Sequence, residues 1–244
     1  MTTELKNLSK ENLKVNSNSR LFEIYKNLKY ESLKCITYFQ AYEELLSKYV
    51  GKEIVFVEIG VLHGGSLFMW KEYFGPKARI IGVDLNPNVK QLEKQGFEIY
   101  VGSQSDKKFW NSFYSTVGKI DVLLDDGGHD NDQQIITLHE SIPNINNGGT
   151  TLVEDTHASY MKKHGIYDEF QENRKNLSPK DRREKGGIGT GLDHPNIAGY
   201  TADNAVRWSK LKSRLAAVDQ LDLSGNVAPE RKKGKEHFEI GKKK

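Results

Sequence analysis

Two apolar segments of the chain each end in adjacent carboxylates. The segment IDVLLDDGGHDND brings Asp125 and Asp126, and the segment GTTLVEDTH brings Glu154 and Asp155. If the two segments are neighbouring strands of one sheet, these side chains converge and, without partners, repel one another. A hard divalent cation removes that conflict, and all-oxygen ligands favour Mg²⁺, Mn²⁺ or Ca²⁺ over zinc. The pattern therefore predicts a metal site, with a helix-capping cluster as the alternative.

His129 is the candidate catalytic base of this cluster. It follows Asp126 by three residues, which puts it beside such a metal without making it a ligand. An imidazole has an ordinary pKa of about 6.5, so it can accept a proton from a hydroxyl whose acidity the metal has raised. Asp130 and Asp132 come next, and negative charge there suits the first turn of a helix. We expect these two aspartates to serve only the helix start.

A glycine-rich loop follows the first predicted strand, in VEIGVLHGGS. The strand ends on Glu58, and Gly60, Gly64 and Gly65 precede a helix that starts near Ser66. Glycines permit a tight turn and let a ligand approach the backbone beside the positive end of the helix. The GxxxGG spacing differs from the GxGxxG of dinucleotide-binding folds, which argues against a pyrophosphate grip.

Polar residues also close the second and third predicted strands. Asp84 ends the second, where a carboxylate can accept both hydroxyls of a ribose, with helix capping as the alternative. The third ends in VGSQSD, at the edge outside which open α/β sheets bind their ligands. For Ser103 and Asp106, capping the next helix is as good an interpretation as ligand contact. A glycine loop after one strand and an acid after the next together indicate an adenosyl ligand.

Short apolar runs alternate with helix-length segments from residue 53 onward. Continuous apolar runs are typical of strands buried on both faces, and their alternation with helices is typical of a parallel, doubly wound α/β sheet. The predicted strands are EIVFVEIG, ARIIGVDL, FEIYVGS, IDVLLDD and GTTLVED, and the predicted helices between them are SLFMWKEYF, NVKQLEKQ, KKFWNSFYSTV and DQQIITLHESIPNI.

The remaining segments frame this predicted sheet. Residues 1–50 form a predicted N-terminal helical lead-in, since apolar residues recur there every three or four positions. Residues 51–244 form the main domain, in which 160–200 is polar and glycine-rich and is expected to be a substrate loop or lid. The basic tail, residues 229–244, is expected to be solvated, and nucleic-acid binding is the less favoured alternative.

Composition sets further bounds. The 244 residues suffice for one full hydrophobic core. No run approaches the roughly 18 apolar residues of a membrane span, and the first residues lack the apolar stretch of a secretory signal, so a cytoplasmic protein is expected. Cys35 is the single cysteine, which excludes an internal disulfide and a cysteine-based zinc site. We expect it to be a buried small hydrophobic residue.

From about residue 38 to residue 165, these motifs resemble the class I S-adenosylmethionine methyltransferases. They are most similar to the metal-dependent sugar O-methyltransferases of the macrocin and mycinamicin type, with DDGGH and VEDTH as the most specific part. The resemblance implies a Rossmann-like sheet of the seven-stranded type, with S-adenosyl-L-methionine and Mg²⁺ (or Mn²⁺) as cofactors. It also implies methyl transfer to a hydroxyl of a sugar or sugar-like metabolite. Related enzymes are often multimeric, so a homo-oligomer is expected too.

The resemblance also assigns site residues by position. The metal ligands of the family correspond to Asp126, Glu154 and Asp155, and its proposed base corresponds to His129. The cofactor contacts correspond to Glu58, Gly60, Gly64, Gly65 and Ser66 in the loop, Asp84 at the ribose, Gly102, Ser103, Gln104 and Asp106 on the adenine side, and Asp125 as a neighbour that is either structural or cofactor-facing. His157 and Tyr160 follow the last strand without an assigned role.

Two other functions stay open at this point. One is a metal-dependent hydroxylase or hydrolase on the same fold; an iron oxygenase would use two histidines and one carboxylate, and His157 keeps that reading open. The other is a non-catalytic, methyltransferase-like protein that binds nucleic acid through its basic tail. The C-terminal sequence departs from the resemblance, because it offers no convincing strand pair of the kind that completes the class I sheet.

Overall fold

The computed structural model describes residues 19–34, 38–155 and 230–232 of the chain. In chain order its helices and strands are α1 (Arg20–Lys26), β1 (Ser32–Lys34), α2 (Tyr38–Leu46), β2 (Ile54–Ile59), α3 (Gly65–Phe74), β3 (Ala78–Asp84), β4 (Glu98–Val101), α4 (Lys107–Val117), β5 (Ile120–Asp125), α5 (Asn131–Ser141), β6 (Ile145–Val153) and β7 (Glu230–Lys232). Short 3₁₀ helices occupy Ser47–Tyr49, Pro87–Gln95 and Ile142–Asn144.

Strands β2 to β6 form one sheet with the order β4-β3-β2-β5-β6, and every neighbouring pair is parallel. The chain builds outward from β2 to β4 and then returns to the other side of β2 to start again at β5. Such a reversal of strand order opens a crevice at the carboxyl ends of the strands, where open α/β sheets bind ligands. The predicted parallel α/β sheet is therefore confirmed with five described strands; a total of seven stays a prediction.

Successive residues of β2 face opposite layers of helices. Phe56 packs against Trp70 and Phe74 of α3, with ring centroids 5.2 Å apart in both pairs. Val57 belongs to a second buried cluster that includes Trp110 and other residues of α4. Because helices cover both faces of the sheet, both faces of its central strands are apolar, which explains the continuous apolar runs in the sequence.

The N-terminal segment is only partly the helical lead-in that was predicted for residues 1–50. Helices α1 and α2 are present, but β1 lies between them and pairs antiparallel with β7. Ser32 and Lys34 of β1 are buried while Leu33 between them is 47% exposed, so the polar residues of this strand face inward. The sequence contains no sign of β1, because its buried residues are polar and its exposed residue is apolar. Its partner strand is also far away in the chain, near residue 230.

The β1–β7 pairing also involves part of the basic tail, residues 229–244. Glu230–Lys232, within the segment expected to be solvated, is a strand whose backbone pairs with β1. The predicted loop at residues 160–200, Cys35, His157 and Tyr160 lie outside the described residues. Within the described ranges, the helices are too short or too polar to span a membrane.

Candidate active site

Backbone hydrogen bonds extend the sheet beyond its strand ends and hold the loops of the carboxyl edge together. The Asp126 N–H donates to the Ile59 carbonyl at 3.0 Å, and the Glu154 N–H donates to the Asp125 carbonyl at 2.9 Å. Asp126 and Glu154 therefore start their loops at fixed positions beside β2 and β5. The convergence of the two acidic motifs that the sequence predicted is confirmed.

Gly60 and Gly65 lie where other parts of the chain leave no room for a side chain, and Gly60 also has a left-handed backbone conformation. Gly60 has φ +86°, and a Cβ there would lie 2.0 Å from the Asp126 carbonyl oxygen. A Cβ on Gly65 would lie 2.1 Å from the Glu31 carbonyl oxygen, in the segment before β1. These two glycines thus let the acidic loop and the N-terminal segment approach the glycine-rich loop, in addition to any ligand.

Three side chains at this edge form a cluster with the geometry of a cation site. His129 Nε2 lies 4.0 Å from Asp126 Oδ1 and 3.7 Å from Asp155 Oδ2. One ligand atom from each of the three residues lies within 4.8 Å of the others, and all three side chains are partly exposed. His129 and Asp155 have φ values of +61° and +50°. Non-glycine residues rarely have positive φ values, and those that do are often found at functional sites.

These distances fit a divalent cation. Oxygen and nitrogen ligands bind at about 2.0 to 2.6 Å from such an ion, so atoms within 4.8 Å of one another can share one with small side-chain movements. Two carboxylate oxygens with water and substrate oxygens would suit Mg²⁺ or Mn²⁺. The donor set therefore accommodates the predicted metal, with His129 either as base or as a third ligand atom.

Lys34 is a site residue that the sequence analysis missed. Its Nζ atom lies 2.6 Å from Asp126 Oδ2, 3.1 Å from Glu154 Oε1 and 3.3 Å from Glu58 Oε1, and its side chain is 1% exposed. Burial alone would lower the pKa of Lys34, but the carboxylates of Asp126, Glu154 and Glu58 together raise it well above its ordinary value. The ammonium is thus charged inside the protein.

Glu154 lies beside the cluster rather than within it. Its Oε1 atom accepts hydrogen bonds from Tyr42 Oη and Lys34 Nζ, and its side chain is buried. Burial and the adjacent Asp126 raise the pKa of Glu154 to about 8, so it holds a proton in a large fraction of molecules at neutral pH. Asp155 lies within the cluster: Tyr38 Oη donates to its Oδ1 at 2.6 Å, and its Oδ2 faces His129.

Gln104, predicted to contact the cofactor, and Asp125, predicted to be either structural or cofactor-facing, are hydrogen-bonded to each other. The Gln104 side-chain amide donates to the two Asp125 carboxylate oxygens at 3.1 and 3.2 Å, and its own oxygen accepts from the Gly128 N–H at 2.8 Å. Burial raises the pKa of Asp125 to about 6, although hydrogen bonds from Gly127 and Gln104 oppose that rise. The hydrogen bonds of Asp125 to Gln104 and Gly127 therefore support the structural role of Asp125 over contact with the cofactor.

The glycine-rich loop is fixed by two carboxylates. Glu58 is buried and accepts a hydrogen bond from Ser66 Oγ at 2.7 Å, and burial raises its pKa. Asp84 Oδ2 accepts from the backbone N–H groups of Val61 and Leu62 at 2.8 and 3.2 Å. Gly64, with φ +83°, is the N-cap of α3. The predicted cofactor residues of β2 and β3 are thus brought together at one loop.

The predicted adenine-side residues mostly have capping roles in the structure. Asp106 is the N-cap of α4 and accepts from the Lys108 N–H at 2.8 Å, and Ser103 Oγ accepts from the Ser105 N–H at 3.2 Å. A Cβ on Gly102 would lie 2.1 Å from the Phe109 ring, so this glycine makes room for α4.

The two aspartates that were predicted to serve a helix start lie at the beginning of α5. Asp130 is the N-cap of α5 in a capping box. Asp132 lies in the first turn of that helix, so the prediction of a helix start for these two aspartates is confirmed.

Comparisons with known proteins agree with this architecture. Residues 57–156 match the family described as a methyltransferase domain. An 8-demethyl-8-alpha-L-rhamnosyl tetracenomycin-C 2'-O-methyltransferase from Streptomyces olivaceus is 33% identical over 78% of this chain and 52% of its own length. A demethylmacrocin O-methyltransferase from Streptomyces fradiae is 29% identical over 49% of this chain and 31% of its own length.

A solved structure is also similar. The MycE methyltransferase from the mycinamycin biosynthetic pathway, in complex with Mg, SAH and mycinamycin VI, aligns with a TM-score of 0.52 and 27% identity over 60% of this chain and 39% of that one. The chain therefore spans about half, or less, of the length of these relatives. The resemblance to methyltransferases, and to sugar O-methyltransferases among them, is confirmed.

Proposed function

We propose that this chain, with its methyltransferase domain at residues 57–156, transfers a methyl group from S-adenosyl-L-methionine to a hydroxyl of a sugar or glycoside in a divalent-metal-dependent reaction. The observation that carries the proposal is the cluster of Asp126, His129 and Asp155 at the carboxyl edge, directly beside the glycine-rich loop. The names of the relatives, which describe sugar O-methyltransferases, and the Mg and SAH of the MycE structure support the same reading.

The proposed cofactor site lies over the glycine-rich loop. Glu58, Gly60, Gly64 and Ser66 would contact the methionine part, and Asp84 would accept the ribose hydroxyls. The adenine would lie near residues 102–106. Asp126 and Asp155 turn carboxylate oxygens toward the open side of the cluster, while the Lys34 ammonium lies on the opposite, buried side of Asp126, which favours a positively charged ligand such as a sulfonium or a metal ion at the open side.

Asp126 and Asp155, with Glu154 after it exchanges its contact with Lys34, would hold the metal ion. Mg²⁺ held there would act as a Lewis acid that makes an acceptor hydroxyl more acidic. His129 would accept the proton of the acceptor hydroxyl at Nε2, the ring atom that faces the two aspartates. Most of the rate gain would come from orientation of the acceptor toward the methyl group.

The composition of the cluster favours this chemistry over an iron oxygenase. In the described part of the chain the cluster pairs one histidine with two carboxylates, whereas the oxygenase triad pairs two histidines with one carboxylate.

The test uses the purified protein, methyl-labelled S-adenosyl-L-methionine and a panel of rhamnosides and other glycosides. We expect methyl transfer with Mg²⁺ and loss of transfer in EDTA, with S-adenosylhomocysteine binding measured separately by calorimetry. Asp126→Asn should abolish metal dependence and activity, whereas the matched substitution Asp132→Asn, on the first turn of α5, should leave both unchanged. Transfer that continues in EDTA would refute the metal step, and absence of S-adenosylhomocysteine binding would refute the proposal as a whole.

A further inference from the structure

Lys34 contacts carboxylates from three separate strand ends. Glu58 lies in β2, Asp126 follows β5 and Glu154 follows β6, and each has an oxygen within 3.3 Å of the ammonium nitrogen. Lys34 comes from β1, outside both the main sheet and the matched methyltransferase domain. A fully buried lysine requires such partners, because an unpaired ammonium in the interior is very costly. The site is therefore constructed around a cation that belongs to the protein.

The two carboxylate oxygens of Asp126 have different neighbours: one contacts Lys34, and the other belongs to the cluster with His129 and Asp155. Asp126 Oδ2 lies 2.6 Å from Lys34 Nζ, while Oδ1 faces His129 Nε2. The oxygens of Asp155 also have different neighbours, but its donor is neutral: Oδ1 accepts from the Tyr38 hydroxyl and Oδ2 faces His129. A metal ion at the cluster would thus share the charge of Asp126 with the ammonium.

We propose that Lys34 is an internal counter-ion of the metal site: it stabilises the acidic cluster when no metal is bound, and it lowers the affinity of the cluster for a divalent cation. This inference rests on the proposed function, since it concerns the same metal site. Two cations on one partly buried carboxylate repel each other more strongly than they would in bulk water, because the Lys34 ammonium is itself shielded from solvent. Loss of the ammonium should therefore destabilise the metal-free protein and strengthen metal binding.

The role differs from that of an ordinary hydrogen-bond donor, and the structure offers the comparison. Tyr38→Phe removes a donor from Asp155 without changing charge, so Asp155 becomes less well oriented and Mn²⁺ binding should weaken or stay equal. Lys34→Met removes a donor and a charge together, so Mn²⁺ binding should tighten. Lys34→Arg keeps the charge and should not tighten it. Only electrostatic competition predicts tighter Mn²⁺ binding when the charge of Lys34 is lost, so the direction of the change in Mn²⁺ affinity distinguishes it from a positioning role.

The experiment measures Mn²⁺ binding to the full chain by electron paramagnetic resonance and calorimetry, and thermal unfolding with and without Mn²⁺. Lys34→Met is expected to bind Mn²⁺ at least about tenfold more tightly than the wild type, to unfold at a lower temperature without metal, and to gain more from added Mn²⁺. If Lys34→Met is unfolded without metal, Mn²⁺ should restore its circular dichroism spectrum. Lys34→Gln provides a second neutral variant with the same expectations.

The outcomes distinguish this inference from the proposed function. Tighter binding by the neutral variants supports the inference. If the wild type binds no Mn²⁺ but Lys34→Met does, the inference stands and the metal-dependent function of the wild type fails. If the wild type binds Mn²⁺ and the neutral variants bind it equally or more weakly, the inference is overturned while the proposed function stands. Neutral variants that neither bind Mn²⁺ nor refold with it also overturn the inference.

Discussion

The substitution Gly60→Ala tests how tightly the glycine-rich loop and the acidic loop are joined. Gly60 follows β2 with φ +86°, and an added Cβ would lie 2.0 Å from the Asp126 carbonyl oxygen and 2.7 Å from its carbonyl carbon. These are backbone atoms, so no side-chain rotation can relieve the overlap. The loop that carries Asp126 and His129 must move away from β2, which disturbs the cluster that these residues form with Asp155.

The magnitude follows from three contributions. A left-handed conformation costs a non-glycine residue about 1 to 2 kcal/mol. Relief of the overlap adds about 1 to 3 kcal/mol for overpacking, and loss of the hydrogen bond from the Asp126 N–H to Ile59 adds about 1 kcal/mol. We therefore expect Gly60→Ala to lower the free energy of unfolding by about 3 to 6 kcal/mol.

Gly51→Ala is the matched control. Gly51 has φ +75°, and no atom lies within 4 Å of the position where its Cβ would be, so this variant should lose about 1 to 2 kcal/mol for the conformation alone. Urea unfolding of both variants measures the difference, and Mn²⁺ affinity reports on the cluster. Equal losses of stability in the two variants would contradict the close contact between the loops.

Three further predictions concern the surroundings of the site. Asp125 has a pKa raised by burial to about 6, so the folded protein holds its proton more tightly than the unfolded chain and this group makes stability fall as the pH rises from about 4 to 6. The stability of Asp125→Asn relative to wild type should thus improve by about 2 kcal/mol between pH 4 and pH 7, and a constant difference in urea unfolding would contradict this. Gln104→Ala removes the side-chain donor of the buried Asp125 carboxylate, which keeps only the Gly127 N–H, and the acceptor of the Gly128 N–H; it should cost about 2 to 4 kcal/mol, against less than about 0.5 kcal/mol for the exposed Gln95→Ala. Arg231→Pro, which interrupts the backbone pairing of β1 and β7 opposite Leu33, should lower the unfolding temperature, and an unchanged unfolding temperature would contradict a role of this pairing in stability.

The sheet could be predicted from the sequence because its signals are local. Each buried parallel strand appears as an uninterrupted apolar run, and each run is followed by a helix of suitable length. The acidic motifs were placed at one edge for the same reason, since parallel strands that follow helices all end on the same side. The segment NVKQLEKQ was predicted as a helix and is a 3₁₀ helix, a difference of winding only.

The donors that bind the acids could not be predicted in this way. Lys34 contacts residues 24, 92 and 120 positions away, and it lies in a stretch with helical periodicity. Tyr38 and Tyr42 fit the apolar face of α2, so their hydroxyl groups gave no signal. An indication was available all the same: several carboxylates predicted to converge require positive charge, and a lysine can supply it as well as a metal can.

These donors show that the properties of the acidic cluster depend on a segment outside the methyltransferase domain match. The acids lie within residues 57–156, but the groups that fix their orientation and charge come from β1 and α2. Lys34 also contacts Glu58, which holds the glycine-rich loop through Ser66. One ammonium therefore touches both the proposed metal site and the proposed cofactor site. A change in the N-terminal segment that displaces Lys34 should alter both binding sites together, although it touches none of the motifs by which the domain is recognised.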